Sequence, residues 1–391
     1  MALLETLAER YRRELTDSVV PFWLEHSLDR ECGGYFSCLD RDGTVYDTKK
    51  YLWLVGREVW MFARLYNTFD SRPAYLEASA LGIRFLREHA FDEKGRVYFS
   101  LTREGNPYAF QRKPYAAVFV CLALLEYGRA VGESLYREQA EALFDSIAAW
   151  IDDATLLDRP ALAGRPPVST LADVMVLAAL AYEFAVDDDD PRWRDVMKKA
   201  CEDMTRHYDA DRRILVENVS LDGTDISGWP EGRFFIPGHA IETAWFILHL
   251  TEHVPDDAVA KTALDAIEGA LELGWDDAFG GIFYFMDVEG RPTLQLESSM
   301  KLWWSHTETI YALILAYLKT HDDRWLAWLE KVDRYTFDHF ADEEFGGWFG
   351  YCDRRGNLTH TCKGGNYKGF FHVPRALLMS VQLIEKTKGT P

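Results

Sequence analysis

Three histidines stand in one recurring context. His239 in "IPGHAIETAW", His306 in "KLWWSHTETI" and His372 in "YKGFFHVPRALL" each sit at or just before an apolar segment. Neighbours are separated by roughly 65 residues. An imidazole titrates near pH ~6.5, so at neutral pH it can take or give a proton. Two of them suit a general acid–base pair. Glu242 follows His239 and Glu308 follows His306, close enough to orient each ring. Equal steps backward reach Asp173 in "STLADVMVLAAL", Tyr115 in "QRKPYAAVF" and Arg57 in "LWLVGREVW". Arg57 is suited to holding a carbonyl or hydroxyl oxygen and stabilising enolate-like charge. Trp303 and Trp304, with other tryptophans, offer flat apolar faces for a sugar ring, although most tryptophans belong to the core. Three histidines also suggest a metal, but ligands from three separate helices lack the close, stiff spacing of a metal site, and none is expected. "KGGNYKG", which contains Lys368, lacks the phosphate-loop pattern and a preceding strand. No G-x-S-x-G elbow occurs.

These residues need elements that bring them to one place. Five stretches resemble one another: "GGYFSCLDRDG" from Gly33, "RVYFSLTREG" from Arg96, "ILVENVSLDG" from Ile214, "GGIFYFMDVEG" from Gly280 and "GGWFGYCDRRG" from Gly346. Each reads as a short strand closed by a hairpin-type turn. One gap is about twice the others, leaving room for a degenerate copy near "DDATLLDRPALAG". Between the turns run segments such as "EVWMFARLYNTF" and "ETIYALILAYLKTH", apolar at helical period. Two helices fit each repeat, giving about six repeats and about twelve helices. Helix pairs repeated around a ring close into a toroid. The expectation is therefore an all-α (α/α)6 barrel with short β-hairpins at the rim, in a single domain over 1–391. An open α-solenoid is the alternative. Closure would bring the candidate residues to one mouth.

Composition limits the partners. The chain has 391 residues, 48% of them hydrophobic, ample for a large core. A net charge of −20 disfavours nucleic acid and anionic membranes. The six cysteines form no C-x-x-C pair and no metal-site pattern. They read as reduced thiols, and "MALLETLAERYRRELTD" reads as an amphipathic helix rather than a secretory leader, so a cytoplasmic location is expected. No apolar run reaches membrane-span length.

The segments "LWLVGREVWMFARLYN", "IPGHAIETAWFIL", "KLWWSHTETI", "EEFGGWFGYCDRRG" and "KGGNYKGFFHVPRAL" closely resemble the N-acylglucosamine 2-epimerase family, from about Phe22 to about Ile384. The resemblance implies an (α/α)6 barrel and interconversion of N-acetylglucosamine with N-acetylmannosamine, or of related sugars differing at C2. It implies His239 and His372 as the two proton-transfer bases, with Arg57 and Glu308 in the site. Asp173, Glu242, His306, Tyr115, Trp303, Trp304 and Lys368 then make up the expected substrate-binding set. It implies no cofactor for the chemistry, although some members are stimulated by ATP without consuming it, and homodimers are common. The alternative in the same superfamily is an epimerase or aldose–ketose isomerase of free hexoses such as mannose, glucose and fructose. This chain departs from the family pattern at Tyr115 to Val120, at Leu171 to Met175 and at Ile236. Two of these lie at the expected rim and bear on the N-acyl preference; Asp173 there would favour free hydroxyls.

Overall fold

Segments that are apolar on nearly every face must be buried on nearly every side, and the chain arranges them as an inner ring. In the computed structural model, which describes residues 2–160, 162–187 and 190–388, these are α3 (Leu52–Thr68), α5 (Tyr115–Val131), α7 (Leu171–Ala185), α9 (Pro237–His253), α11 (Trp303–Thr320) and α13 (His372–Lys388). Amphipathic helices surround them: α4 (Pro73–His89), α6 (Ser134–Asp152), α8 (Pro191–Arg206), α10 (Asp257–Gly274) and α12 (Arg324–Phe340). The sixth outer element is α1 (Ala2–Arg13), joined through a π-helical turn, Glu14–Val19, to α2 (Val20–His26). The architecture is an (α/α)6 barrel. Core packing between the rings is dense; on α8, Trp193 lies flat against Phe184 of α7 at 4.1 Å.

The hairpin stretches form the expected short strands, but much of their pairing is between repeats. The strand before each of four inner helices joins the hairpin of the next repeat. Lys50–Tyr51 pairs with Ser100–Leu101, Val168–Thr170 with Asn218–Ser220, Phe234–Phe235 with Met286–Asp287, and Lys301–Leu302 with Tyr351–Cys352. The degenerate copy is a 3₁₀ turn, Ala154–Leu157, capped by Asp153; Ala161 of that stretch lies outside the described residues. At the last seam the amides of Lys363 and Gly364 both reach the Leu39 carbonyl, so the final repeat is stitched to the first.

The same seams carry a recurring buried ion cluster. A buried lysine from the segment before an inner helix meets a buried aspartate at a Gly-Gly turn, and a partly exposed arginine from the next hairpin tip pairs with that aspartate. Lys50, Asp29 and Arg103 form one set; Lys301, Asp276 and Arg354 form a second. Lys363, Asp342 and Arg41 form the third, and here Arg41 belongs to the first repeat and Asp342 to the last. Each lysine also donates to a turn carbonyl, Gly33, Gly281 or Gly346. Burial pushes the Lys301 and Lys363 ammonium groups down to about 8 despite their carboxylate partners. The aspartates are driven well below the usual carboxylate range: burial opposes this, but the arginine and lysine hydrogen bonds prevail.

Closure is completed along the helices. Arg10 and Tyr11 of α1 both bond Asp333 of α12, and Gln382 of α13 reaches the Thr68 carbonyl of α3 at 3.0 Å. Asp342→Asn strips the fully buried Lys363 of its counter-ion and loosens the closing seam. It is expected to cost about 3 kcal/mol, read from the urea midpoint at neutral pH, whereas Asp195→Asn on the exposed surface of α8 shifts it by less than about 0.5 kcal/mol.

Candidate active site

The inner helices open at one mouth, and a cavity of about 540 Å³ descends from it between them. Its wall includes Trp53, Arg57, His239, Glu242, Trp303, Trp304, His372 and Arg375. Helix position explains which residues reach it. His239 is third in α9, Arg57 and Glu242 are sixth in α3 and α9, and Glu308, sixth in α11, stands just behind the wall against His372. Positions three apart share a face, and the next residue is turned by about 100°. Two glycines allow the close packing this needs. A Cβ on Gly56 would lie 2.6 Å from the Phe119 backbone, and one on Gly238 2.6 Å from the Trp304 ring. Thus α3 meets α5, and α9 meets α11, tightly beside Arg57 and His239.

His239 and His372 enter this cavity from separate helices. The Trp304 indole lies against both, with ring centroids 5.2 Å from His239 and 5.9 Å from His372. His372, first residue of α13, has its Nδ1 2.7 Å from Glu308. Donating that N–H leaves Nε2 with its lone pair. Burial, aided by the charges of Arg57 and Arg375, holds this imidazole well below its ordinary pKa, so it is neutral at pH 7. His239 has its Nδ1 3.1 Å from Glu217. Burial opposes its protonation, but the Glu217 carboxylate outweighs that and raises the pKa. The two imidazoles are therefore shifted in opposite directions by their surroundings.

A buried ion network holds the base in place. Arg375, one turn after His372, bonds Glu242 at 2.5 Å and Glu308 at 2.7 Å. Glu308 also accepts from Trp245 Nε1 at 3.2 Å. Burial raises the Glu308 pKa, against the pull of Arg375, Trp245 and Arg57. Glu242, Glu308 and His372 bring ligand-type atoms within 4.8 Å of one another. The Arg375 guanidinium already lies against both carboxylates, a fixed cation that repels a divalent ion from that place. Arg57 is different. Its guanidinium lies over Phe119 at 4.0 Å, Trp53 at 4.4 Å and Phe371 at 4.9 Å, and its Nε has no partner among the described residues. Desolvation brings it down to about 9, and it remains a cation at neutral pH. An unpaired, desolvated cation on a cavity wall is equipped to receive an oxyanion. The open N-termini of the inner helices add positive potential at the same mouth.

Several expected positions are corrected. His306 does not reach the cavity. It is fourth in α11, so it turns behind the wall: Nδ1 donates to the Leu302 carbonyl at 2.7 Å, and Nε2 accepts from the Ile282 amide at 3.0 Å. Both nitrogens are used, and burial pushes its pKa down to about 3. Lys368 is buried too, with its ammonium on the carbonyls of Trp348 and Lys363, where it supports the loop before α13. Tyr115 and Asp173 bond each other at 3.0 Å, and Thr170 occupies the second Asp173 oxygen at 2.6 Å. They stand near Glu217 but are absent from the cavity wall. Glu242 pairs with Arg375, not His239. The residues missed from sequence are Glu217 and Arg375. Glu217 sits in the hairpin "ILVENVSLDG", where nothing local marks it; Arg375, at i+3 from His372 on a helix, was legible from spacing.

The closed ring of paired helices thus brings two imidazoles, a desolvated arginine and a buried carboxylate network to one cavity. The chain belongs to the N-acylglucosamine 2-epimerase family: the family model N-acylglucosamine 2-epimerase (GlcNAc 2-epimerase) matches residues 34–376. The chain is 39% identical to N-acylglucosamine 2-epimerase of Bos taurus, with 97% of this chain and 92% of the relative covered. It is 38% identical to that of Homo sapiens, over 99% of this chain and 92% of the relative. Among solved structures, cellobiose 2-epimerase from Bacillus thermoamylovorans B4167 superposes with a TM-score of 0.84 at 22% identity, covering 97% of this chain and 99% of that one, a likeness of fold.

The electrostatics specify a pH profile. Catalysis by the pair needs one proton shared between two imidazoles. With these two imidazoles as the pair, the acidic limb would follow the depressed His372 and the alkaline limb the raised His239. Glu217→Gln lowers the His239 pKa, so the alkaline limb of kcat/KM should move to lower pH by roughly 1–3 units while the acidic limb stays. An unmoved alkaline limb would separate Glu217 from the acid–base function.

Proposed function

We propose that the protein is a C2 epimerase interconverting N-acetyl-D-glucosamine and N-acetyl-D-mannosamine by two-histidine proton transfer on the ring-opened sugar. The observation that carries this reading is the pair of imidazoles in one cavity, oppositely poised and facing one indole. The family relatives from cattle and humans support the substrate class.

Opening the sugar ring exposes the C1 aldehyde and acidifies the proton on C2. In one direction, neutral His372 Nε2 removes that proton. Electrons move onto the C1 oxygen, and the enolate charge falls to Arg57, whose desolvated guanidinium strengthens as a partner when charge develops. The His239 imidazolium then delivers its proton to the opposite face of C2. Inversion follows because donor and acceptor stand on opposite faces. In reverse the roles exchange, with His239 as base and His372 as acid. Glu308 and Glu217 hold the rings and stabilise whichever becomes charged. The chain's own residues supply the acid, the base and the oxyanion partner, so the reading needs no cofactor.

Free hexoses remain the competing substrates in the same superfamily. Asp173 was the feature favouring them, and its carboxylate is engaged by Tyr115 and Thr170. Incubation with N-acetylmannosamine, and separately with mannose, followed by chromatography of the products, distinguishes the two. Only the former should be converted, and deuterium should appear at C2 from heavy water. His372→Ala is expected to lower kcat by about 10²–10⁴-fold with circular dichroism and melting temperature preserved. Full turnover by that variant would sink the assignment.

A further inference from the structure

The acid–base pair occupies only the upper part of the cavity. Beneath His239, Glu242 and Arg57 the space continues down the barrel axis between α5, α7 and α13. Leu122 of α5, Ala179 of α7 and Met379 of α13 line this lower part, with Trp60 of α3 and Trp245 and Phe246 of α9 beside them, each further along its helix than Arg57 or Glu242. From Met175 to Tyr182 the helix rises roughly 10 Å, so the well is deep. Its floor is made by Tyr182 and Glu183, and the Glu183 carboxylate is tied to Arg64 and Arg129 at 3.0 and 3.1 Å. Pockets of about 300–1,000 Å³ enclose drug-sized molecules, larger than a single sugar, and the whole cavity measures about 540 Å³. Nothing in the proton-transfer scheme uses the well.

Its chemistry selects what can enter. Each sugar hydroxyl placed there would leave water for largely aromatic and aliphatic walls, at a cost of roughly 1–3 kcal/mol for every unmet hydrogen bond. The same penalty excludes a second sugar ring from the interior; a longer saccharide would have to extend out through the mouth. The one apolar part of an N-acylated amino sugar is the alkyl end of its acyl group. That group is attached to C2, the atom the two histidines flank. With C2 between the imidazoles, the acyl chain is the part of the substrate that can descend without losing hydrogen bonds.

We infer that the well beneath the acid–base pair is an acyl subsite, and that the enzyme takes N-acyl-hexosamines with chains longer than acetyl in preference to the acetyl compound. This rests on the functional reading above and names its substrate class more closely. The binding gain from a buried methylene is the same in ground and transition states, so it should appear in KM while kcat stays level.

The test is a series of N-acylmannosamines carrying acetyl, propanoyl, butanoyl and pentanoyl chains, assayed for kcat and KM with the full-length protein. KM should fall by roughly 3–4-fold per added methylene through butanoyl. A flat series, or a KM that rises with chain length, overturns the acyl subsite. Ala179→Phe, one turn below the level of Arg57 and Glu242, fills the well and should reverse the order, so that the butanoyl-to-acetyl ratio of kcat/KM falls by at least about tenfold; an unchanged ratio also overturns it. The acetyl compound is the internal control. Failure to turn over any member, acetyl included, would instead remove the epimerase reading, a result distinct from a normal acetyl rate with no chain-length effect.

Discussion

The constraint on which this protein depends is closure of the ring at the seam between its last and first repeats. Arg57 comes from the first inner helix and His372 from the last, so the cavity exists only if the two ends of the chain meet. The devices used there match those at other seams: an amide–carbonyl stitch and a buried Lys–Asp–Arg cluster. Such clusters are costly to desolvate and strongly directional. That combination suits a joint whose geometry matters more than its net stability. Hydrophobic burial supplies the cohesion of the two rings, but it is not directional and would accept many registers. The ion clusters and backbone ladders select one.

Within the closed ring, charge is arranged around Arg375. It sits between Glu242 and Glu308 and so ties three inner helices together at the level of the chemistry. Glu308 in turn sets the His372 tautomer. The opposite histidine is served by Glu217 from a hairpin, not from a helix. The two imidazoles thus experience unlike surroundings although their helices are repeats of one another. One lies near two arginines and stays neutral; the other bonds Glu217, with Glu242 also near, and favours its proton. Symmetry of fold with asymmetry of charge is what the proposed two-base inversion would use, because one group would arrive loaded and the other empty.

Periodicity was a sound guide to the fold and an incomplete guide to the site. The spacing of the Gly-containing turns revealed six repeats, and the apolar segments between them became the two helical rings. The same spacing placed His239, Arg57, Glu242 and Glu308 correctly near one mouth. It failed for His306, which shares the phase of its neighbours but starts its helix one residue later. A shift of one residue turns a side chain by about 100°, enough to move an imidazole from the cavity wall to a backbone niche. Lys368 failed for another reason: a polar residue in a specific motif is turned inward onto two backbone carbonyls and buried away from the cavity wall.

The amino-acid sequence alone determined the number of repeats and the helical type of their long segments, because both depend on local periodicity; it offered three histidines in phase, and only the family resemblance singled out His239 and His372. Only the tertiary structure decided the partners. Glu217 joins His239 across a hairpin, Arg375 joins Glu242 across the ring, and Arg41 joins Asp342 across the whole length of the chain. Such pairings depend on register between elements distant in sequence. A one-residue offset changes them completely while leaving every local pattern intact.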